Sequence, residues 1–458
     1  MALSKSSGGE LPDGFADTHV CIVGLGYVGL TLAVAMADRG FRVHGVERRA
    51  DVVEGLERNE PSFWEPRLKE KLARVRANGA FSASQSLSKS DKASVYIITV
   101  GTPLDADGNA RLDMAHNATQ QVIDHMEDGA LIILRSTVKL GTTRNVVKKM
   151  LDDAGKDYEI AFCPERTLEG KALIELHELP QVIGADDAGT RWRCQQLFGQ
   201  MTPTTIALEK LETAELVKLV DNTYRDLTFG FANEIAKLCT HVGISASDVI
   251  RAGKLGYART NVALPGPVGG PCLEKDPHIL AESAKQWGVD MPITLAGRMT
   301  NEEQPGEVAS VLQARAKKLD GFAAKPKIAL LGLAFKGMPP TDDLRGTMAL
   351  PIFKALEEKF PDAEFVGYDP VVSDKDARDF FGFGLEERLE AAFSGASIVL
   401  VLNNHPEFQR MEVAALAAHM KKPSIVYDLW SMHDDAADTV PDGVISIALG
   451  SENSGEMA

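Results

Sequence analysis

The sequence predicts an α/β protein in which two Rossmann-like, doubly wound parallel sheets are joined by a central long-helix domain. Short apolar runs alternate with helical stretches in the first 205 residues and again after residue 320, which is typical of parallel sheets covered by helices. Between these halves lies a long stretch with helical periodicity and no strand pattern. A chain of 458 residues also exceeds the size of one hydrophobic core, so two or three domains are expected.

Composition and charge exclude several classes of protein. With 44% apolar and 25% charged residues, the chain has the composition of an ordinary globular protein. Its sequence has no apolar run of the roughly 18 residues that a membrane span needs. The formal net charge of −16 disfavours nucleic acids and anionic membranes, because both carry negative charge. We therefore expect a cytoplasmic protein that binds neither nucleic acid nor membrane.

Cysteine and histidine usage predicts neither a disulfide framework nor a metal site. The five cysteines are odd in number and widely spaced, without a CxxC pair. The ten histidines are scattered and form no HExxH pattern. Reduced thiols are therefore expected at Cys21, Cys163, Cys194, Cys239 and Cys272.

The N-terminal half contains a predicted tail and a predicted cofactor domain. Residues 1–17 are mostly polar and lack the apolar core of a secretory signal, so a disordered tail is predicted there. The first Rossmann-like domain is predicted over 18–205, with a helix at Tyr27–Asp38. Its strands are predicted at His19–Val23, Phe41–Val46, Val95–Val100, Leu131–Leu134 and Glu159–Phe162.

A helical, dimerising domain is predicted over 206–320. Glu212–Val242 contains no proline, and its apolar residues recur at helical spacing, which predicts one long helix with a kink near Gly230. A second helix is predicted from about 293 to 319. The strand–helix alternation restarts in a smaller Rossmann-like domain over 321–458. The strands of this domain are predicted at Lys327–Leu333, Phe365–Tyr368, Ile398–Val401 and Ile425–Tyr427.

The segment Gly24–Gly29, with the sequence GLGYVG, stands between a predicted strand and a predicted helix. There the first glycine permits a tight turn, the second lets a pyrophosphate approach the backbone, and the third lets helix and strand pack. The diphosphate then lies at the positive N-terminus of the helix. Glu47 ends the next strand, at the spacing of an acid that binds ribose hydroxyls, which favours NAD. Arg48 and Arg49 leave NADP open, because an arginine there can hold a 2′-phosphate.

A second glycine-rich segment, Pro265–Gly270, precedes Cys272. Its glycines let backbone approach a ligand closely. Lys275 and Asp276 follow, and a positive charge this near favours the thiolate, which is the reactive form of the sulfur. The alternative is a buried structural cysteine, the usual setting of a free thiol. A reactive thiol together with a nicotinamide cofactor suggests oxidation through a covalent sulfur intermediate.

With both segments in view, the chain from about His19 to Trp430 resembles the UDP-glucose/GDP-mannose 6-dehydrogenase family. The resemblance implies a homodimer, and NAD-dependent four-electron oxidation of C6 of a UDP-hexose or UDP-N-acetylhexosamine to the uronic acid. A thiohemiacetal and a thioester on Cys272 are the implied intermediates. The motifs that carry the resemblance are Gly24–Gly29, Gly101–Pro103, Ser136–Val138, Pro164–Arg166, Lys218–Asn222, Gly269–Cys272, Gly332–Lys336 and Thr341–Arg345.

The resemblance also implies catalytic roles. Lys218 and Asn222 are four residues apart and share one helix face. In the family the matching residues act as acid/base and oxyanion stabiliser through an ordered water. Asp276 and Thr137 are implied to orient that water, and Glu165 is the candidate base for thioester hydrolysis. Without the resemblance, the lysine and asparagine are ordinary surface residues and Glu165 is a helix-end charge or part of a salt bridge.

Further residues match family positions that contact the cofactor or the nucleotide sugar. Domain 321–458 is implied to bind the nucleotide sugar, and Arg259 to reach across a dimer, with a solvated surface charge as the alternative for each basic residue. The implied cofactor-binding residues are Gly24, Gly26, Tyr27, Val28, Gly29, Glu47, Thr102, Thr137, Glu169 and Lys275. The implied substrate-binding residues are Glu165, Arg166, Lys218, Asn222, Arg259, Asn261, Gly269, Lys336 and Arg345.

The segments that match the family's sugar-binding positions resemble different branches of the family, so they indicate different substrates. Asn222–Asp226, Phe231–Glu234 and Arg259–Val262 look like the branch that acts on UDP-N-acetylmannosamine or UDP-N-acetylglucosamine, whereas Lys275–Asp276 looks like the UDP-glucose branch. Pro267–Val268 departs from both, so a dTDP- or GDP-hexose stays open. Two alternatives come from other classes. One is a two-electron Rossmann dehydrogenase, which yields one NADH per sugar, and the other is an inactive nucleotide-sugar-binding protein.

Overall fold

The computed structural model describes residues 11–88, 91–105, 108–433 and 436–451. These residues form two compact units. The first comprises the described residues through Asp221 together with His278–Val289, and the second comprises Asn222–Pro277 together with the described residues from Asp290 onward. No helix within the described ranges is long and apolar enough to cross a membrane.

The first unit is built on an eight-stranded sheet. Its strands are β1 (His19–Val23), β2 (Arg42–Val46), β3 (Phe81–Ser84), β4 (Val95–Ile98), β5 (Ala130–Leu134), β6 (Tyr158–Phe162), β7 (Gln181–Gly184) and β8 (Thr205–Leu208). The order across the sheet is β3-β2-β1-β4-β5-β6-β7-β8. Neighbours pair in parallel except β6 and β7, which are antiparallel. The order reverses between β1 and β4, which is where a doubly wound sheet binds its ligand.

Helices cover both faces of this sheet, and the apolar strands are buried between them. Every residue of β5 is buried, as expected for a parallel strand covered on both sides. The helices are α1 (Tyr27–Asp38), α2 (Ala50–Glu57), α3 (Leu68–Ala77), α4 (Asp113–His125), a π-helical segment (Thr143–Lys148) that runs into α5 (Lys149–Asp153), α6 (Ala172–Glu178) and α7 (Ala188–Gly199).

The second unit contains a five-stranded parallel sheet in the order β10-β9-β11-β12-β13, with β9 (Lys327–Leu331), β10 (Glu364–Tyr368), β11 (Ile398–Val401), β12 (Ser424–Asp428) and β13 (Val444–Ala448). Apolar clusters fill both of its faces. Its helices include α9 (Ala246–Lys254), α11 (Pro292–Lys318), α12 (Ala349–Lys359), α13 (Asp374–Phe381), α14 (Leu389–Phe393), α15 (Pro406–Gln409), α16 (Val413–Ala417) and α17 (Ala436–Thr439).

Two helices pass from one unit to the other along the chain: α8 (Leu211–Val242) and α10 (Asp276–Lys285). The long helix α8 runs without a break through Gly230, and the kink expected there stays a prediction. The glycine permits close helix packing, since a Cβ on Gly230 would lie 2.5 Å from the carbonyl oxygen of Gly297 in α11. The two compact units divide the chain at other residues than the predicted domains do. The domain limits 18–205, 206–320 and 321–458 therefore stay predictions.

The tail predicted over 1–17 lies partly outside the described residues, since 1–10 are not among them. Residues 11–17 belong to the first unit. The ring of Phe15 stands edge-on to Phe41 at 6.0 Å, and the buried Asp17 pairs with Arg193 at 2.8 Å. These contacts anchor the start of the described chain to the sheet.

Candidate active site

The loop between β1 and α1 needs glycine at two points. Gly24 has a φ of +98°, a conformation that side chains disfavour. A Cβ on Gly29 would stand 1.8 Å from the carbonyl oxygen of Gly24, so only glycine lets the helix pack here. Gly26 is different, because a Cβ there would meet no protein atom within 4 Å. The space beside Gly26 is therefore open to a ligand that approaches the backbone.

A cavity of about 290 Å³ adjoins this loop, with Gly24, Gly26, Glu47 and Arg48 in its lining. Helix α1 begins at the cavity without a side-chain cap or an acidic residue in its first turn, so its N–H groups can bind a diphosphate. The carboxylate of Glu47 accepts hydrogen bonds from the N–H groups of Leu25 and Arg49, both at 3.1 Å. Its oxygens keep lone pairs for ribose hydroxyls. These residues fit NAD.

Tyr27 and Glu65 tie the cofactor loop to the segment around Gly170. The Tyr27 hydroxyl donates to the Glu65 carboxylate, and the Gly170 N–H donates to that carboxylate at 2.7 Å and to the tyrosine oxygen at 3.1 Å. Burial and then the Glu65 hydrogen bond raise the pKa of Tyr27, so its hydroxyl stays protonated. No pattern in the sequence indicates this role for Glu65. The cofactor contacts of Tyr27, Val28 and the nearby Glu169 stay predictions.

Glu165 has an environment that opposes the predicted role of general base. Its side chain is buried, and one carboxylate oxygen accepts from Arg135 at 2.6 and 3.2 Å. The other accepts from the N–H groups of Arg166 and Thr167, both at 2.8 Å. Burial works to raise the pKa of Glu165, but Arg135, the Thr167 N–H and Lys218 outweigh it and lower the pKa. A carboxylate held in this way is a weak base and a strong anchor for its own loop.

The anchored loop in turn holds Lys218. The Lys218 ammonium, mostly buried on α8, donates to the backbone carbonyl of Glu165 at 2.8 Å. Beside it, Arg166 pairs with Asp221 of the same helix at 3.3 Å. Thr137 receives a hydrogen bond at its carbonyl from the buried Thr102 hydroxyl, which fixes the backbone of that loop. The first unit thus contains the glycine loop, Glu47 and a held lysine.

Cys272 lies in the second unit and is the partly exposed one of the five thiols, since Cys21, Cys163, Cys194 and Cys239 are buried. Its carbonyl accepts from the N–H groups of Lys275 and Asp276 at 3.2 and 2.9 Å, which forms a turn directly before α10. The glycines ahead of it allow close packing. Gly270 has a φ of +92°, and a Cβ on Gly269 would lie 2.2 Å from the Gly346 carbonyl oxygen.

Asp276, four residues after the thiol, is held by two polar side chains. The Asn222 amide donates to one oxygen of the fully buried Asp276 at 2.6 Å, and the Lys275 ammonium donates to the other at 2.8 Å. Burial opposes the charge of Lys275, yet Asp276 and Cys272 overcome it and raise the pKa of Lys275. Lys275 therefore stays charged near the thiol, in the position that favours a thiolate.

The remaining predicted substrate residues lie on loops. The Arg259 guanidinium stacks 4.6 Å from the ring centre of Tyr257, and Asn261 is exposed. The Lys336 ammonium lies 5.2 Å from the ring centre of Phe335. The exposed Arg345 pairs with Asp343 at 2.5 Å. Their contacts with substrate stay predictions. Within the described part of the chain no cluster of three His, Cys, Asp or Glu side chains could hold a metal ion.

Three family models match the chain. They are described as the NAD binding domain, the central domain and the UDP binding domain of the UDP-glucose/GDP-mannose dehydrogenase family, and they match residues 18–202, 212–303 and 329–435. The match to an NAD binding domain confirms the predicted cofactor.

Relatives and solved structures agree with these matches. UDP-N-acetyl-D-mannosamine dehydrogenase of Methanocaldococcus jannaschii is 33% identical over 89% of this chain and 91% of its own, and that of Pyrococcus horikoshii is 30% identical over 89% and 94%. The solved Pyrococcus horikoshii UDP-D-ManNAc dehydrogenase superposes with a TM-score of 0.83 at 29% identity, covering 95% of this chain and 100% of its own. A UDP-glucose dehydrogenase from Pyrobaculum islandicum gives 0.80 at 28% identity, covering 92% and 96%. The predicted fold class is confirmed.

Proposed function

The chain belongs to the UDP-glucose/GDP-mannose dehydrogenase family, and on that premise we propose that it oxidises C6 of UDP-N-acetyl-D-mannosamine to the uronic acid. The family is one of NAD-dependent nucleotide-sugar dehydrogenases, which confirms the predicted enzyme class. The choice of sugar is supported by the relatives that carry this substrate in their names and by the segments Asn222–Asp226 and Arg259–Val262. The choice of nucleotide is supported by the UDP binding domain.

The observation that carries the proposal is the setting of Cys272. It is the thiol that stays accessible, it stands in a tight turn, and the charged Lys275 adjoins it. A thiol that only filled the core would have the burial of the other four. The four-electron route needs such a group, because an aldehyde must be held while a second hydride leaves.

The reaction balances as alcohol plus two NAD⁺ and one water giving carboxylate, two NADH and three protons. NAD, when bound, accepts the hydride from C6. In our proposal the hydroxyl proton passes to an ordered water, while the Lys218 ammonium stabilises the alkoxide oxygen that forms. The Cys272 thiolate then bonds to the aldehyde carbon, and the oxygen takes up a proton to give a thiohemiacetal. Loss of the second hydride leaves a thioester, and water breaks its C–S bond and returns the thiol. Asn222, one helical turn from Lys218, donates to the oxyanion of each tetrahedral species.

Hydrogen-bond partners hold the two side chains that donate to the reacting oxygen. Asp276 fixes the Asn222 amide, and the Glu165 carbonyl fixes the Lys218 ammonium, so both donors are oriented before substrate arrives. Donors oriented in advance cost no reorganisation during the reaction. We assign Glu165 to this positioning role in place of the predicted general base.

A panel of nucleotide sugars tests the substrate. UDP-N-acetylmannosamine, UDP-N-acetylglucosamine, UDP-glucose, GDP-mannose and dTDP-glucose are each incubated with NAD⁺, and NADH is followed at 340 nm. We expect the highest kcat/KM with UDP-N-acetylmannosamine. Turnover of only a GDP- or dTDP-sugar would refute the nucleotide assignment.

We also propose that the enzyme is a homodimer formed along α8. Tyr224, Phe231 and Leu238 recur every seven residues, Val242 follows four later, and they are 55, 49, 59 and 41% exposed. A helix with this apolar stripe buries it against a partner, and a second copy offers the same stripe under two-fold symmetry. Light scattering should give twice the chain mass, and Phe231→Glu should shift the protein toward monomer. A monomeric wild type would refute this.

A further inference from the structure

A buried polar cluster holds the segment that carries Cys272, and the reaction scheme above does not use it. The cluster consists of Asp226 and Asn233 on α8 and Arg298 and Asn301 on α11. Their exposed fractions are 0, 2, 1 and 0%. Buried charge is costly unless it is paired and hydrogen-bonded, so four such side chains together require a reason. We name them the loop clamp.

Arg298 grips the segment on both sides of the thiol. Its guanidinium donates to the carbonyl of Leu273 at 3.0 Å and to the carbonyl of Val268 at 3.3 Å. Asp226 accepts from the same guanidinium at 2.6 Å, and the half-exposed Glu302 pairs with its Nε at 3.2 Å. One rigid fork thus fixes two carbonyls that bracket Cys272, which is a task that the planar guanidinium suits and an ammonium does not.

The two asparagines complete the clamp. The Asn233 side chain accepts from the Gly266 N–H at 3.0 Å and donates to the Gly266 carbonyl at 3.2 Å. Its amide also donates to Asn301 at 2.9 Å. Asn301 donates to the carboxylate and to the backbone carbonyl of Asp226, both at 3.0 Å. The clamp therefore reaches the segment at three points: Gly266, Val268 and Leu273.

Helix α8, which carries two of the four clamp residues, also carries the proposed oxyanion donor. Asn222, Asp226 and Asn233 are spaced four and seven residues apart, which places them on one face of α8. Asn222 in turn holds Asp276, the first residue after the thiol's turn. The same face of one rigid helix therefore sets the position of the thiol segment and of the amide that serves it.

We propose that Arg298 is a positioning residue for the Cys272 thiol, supported by Asp226, Asn233 and Asn301; this inference rests on the proposed role of Cys272 as nucleophile. An apolar cluster of similar volume would stabilise a core as well as a buried ion pair does, and often better. It would leave the carbonyls of Val268 and Leu273 unheld. The polar side chains are thus retained for the geometry of the segment.

The test separates positioning from stability through a double variant. Arg298→Met leaves Asp226 buried without its cation, and Asp226→Leu leaves Arg298 without its anion, so each single change should destabilise the protein. Arg298→Met with Asp226→Leu removes both charges together and should recover much of the stability. Arg298→Lys keeps the charge without the fork, and Arg378→Met, which removes an exposed pair with Asp374 on α13, is the matched control.

Three quantities are measured on each purified variant: the midpoint of urea unfolding, kcat and KM with UDP-N-acetylmannosamine, and the pH dependence of Cys272 alkylation by iodoacetamide with Cys272→Ser as the blank. In the double variant we expect recovered stability with kcat still lowered about 100-fold, the cost of a misplaced reacting group, and a nearly unchanged KM. The alkylation midpoint should move to higher pH. Arg298→Lys should likewise have a lowered kcat and an alkylation midpoint at higher pH. Arg378→Met should match the wild type in all three quantities.

Recovery of kcat together with stability in the double variant would show that the clamp is only structural and would overturn the inference. The proposed function fails separately. If Cys272→Ser produces NADH at the wild-type rate, then the nucleophile assignment is wrong and the inference falls with it. If Cys272→Ser is inactive while the double variant has normal kcat, then only the role of Arg298 is refuted.

Discussion

Glu165 shows how a single side chain acquires a role that its motif does not reveal. The motif Pro164–Glu165–Arg166 suggested a base or a salt bridge with its neighbour. The ion pair is instead with Arg135, and Arg166 contributes only its backbone N–H. Because Arg135 also donates to the Cys163 carbonyl at 3.0 Å, one buried cation fixes the loop whose carbonyl holds Lys218. The contact spans 30 residues of sequence, so no local pattern could predict it.

Arg135→Met should change how stability depends on pH. In the wild type the folded-state pKa of Glu165 lies below its ordinary value of 4.5, so the ion pair stabilises the protein above that pH. The stabilisation is lost as pH falls through the folded pKa. Without Arg135, we expect burial to outweigh the Thr167 N–H and Lys218 and to raise the pKa of Glu165, so stability at pH 7 should fall by about 3–5 kcal/mol.

The sign of the pH slope is the decisive readout for this variant. With a raised pKa, the contribution of Glu165 should improve as pH falls from 7 toward 5, whereas that of the wild type should not. Urea unfolding across this pH range measures the difference between the two proteins. Arg135→Met with Glu165→Gln removes both charges and is the control that should flatten the difference. An unchanged pH profile in Arg135→Met would contradict the assigned pair.

Other residues were predictable because their signals are local. The glycines at Gly24 and Gly29 were predicted from spacing, and the structure gives each its reason in a positive φ or a 1.8 Å approach. Cys272 was selected by its glycine-rich context and proves to be the accessible thiol. By contrast, no local pattern indicates a role for Arg298, because its partner Asp226 lies 72 residues away.

The turn before α1 permits a substitution that separates binding from folding. Gly26→Val should leave the unliganded fold intact, because a Cβ there meets no protein atom within 4 Å. It fills the space beside the backbone that a diphosphate needs, so the dissociation constant for NAD should rise by roughly tenfold or more, about 1.4 kcal/mol. Titration calorimetry measures the affinity. Gly29→Val is the contrast and should unfold the protein more easily, and equal NAD binding by Gly26→Val would refute the assigned site.

Helices α8 and α11 approach so closely that a methyl group matters. Gly230→Ala should lower the free energy of unfolding by about 1–3 kcal/mol, since its Cβ would press on the Gly297 backbone. Gly306→Ala in α11 is the matched control, because it also replaces a helical glycine by alanine but its new Cβ meets open space. It should raise stability by up to about 1 kcal/mol. Urea denaturation that ranked the two variants in the opposite order would contradict this packing.

Among the strands and helices, those that form a continuous apolar run or a long helical pattern were predictable from the sequence. The strands β1, β4 and β11 and the long helix α8 appear within one or two residues of their predicted limits. The strands β3, β7, β8 and β13 were missed. Phe81–Ser84 is half polar, and Thr205–Leu208 has no buried residue, so neither shows the buried run that identifies a central strand.

At the scale of the whole molecule, two Rossmann-like sheets followed from the repeated alternation of strands and helices. The order of strands within each sheet did not, because pairing such as β1 beside both β2 and β4 joins segments far apart in sequence. The antiparallel pairing of β6 and β7 was also unforeseen, since nothing in a short apolar run encodes direction. In the proposed reaction, the cofactor loop belongs to the first unit and the thiol to the second.

We propose above that one enzyme removes four electrons from C6 of the sugar through Cys272. The most direct measurement is the amount of NADH formed per molecule of UDP-N-acetylmannosamine when the sugar is limiting and the reaction runs to completion. We expect two NADH per sugar and a uronic acid product by mass spectrometry. One NADH per sugar, with an aldehyde or ketone as product, would contradict it.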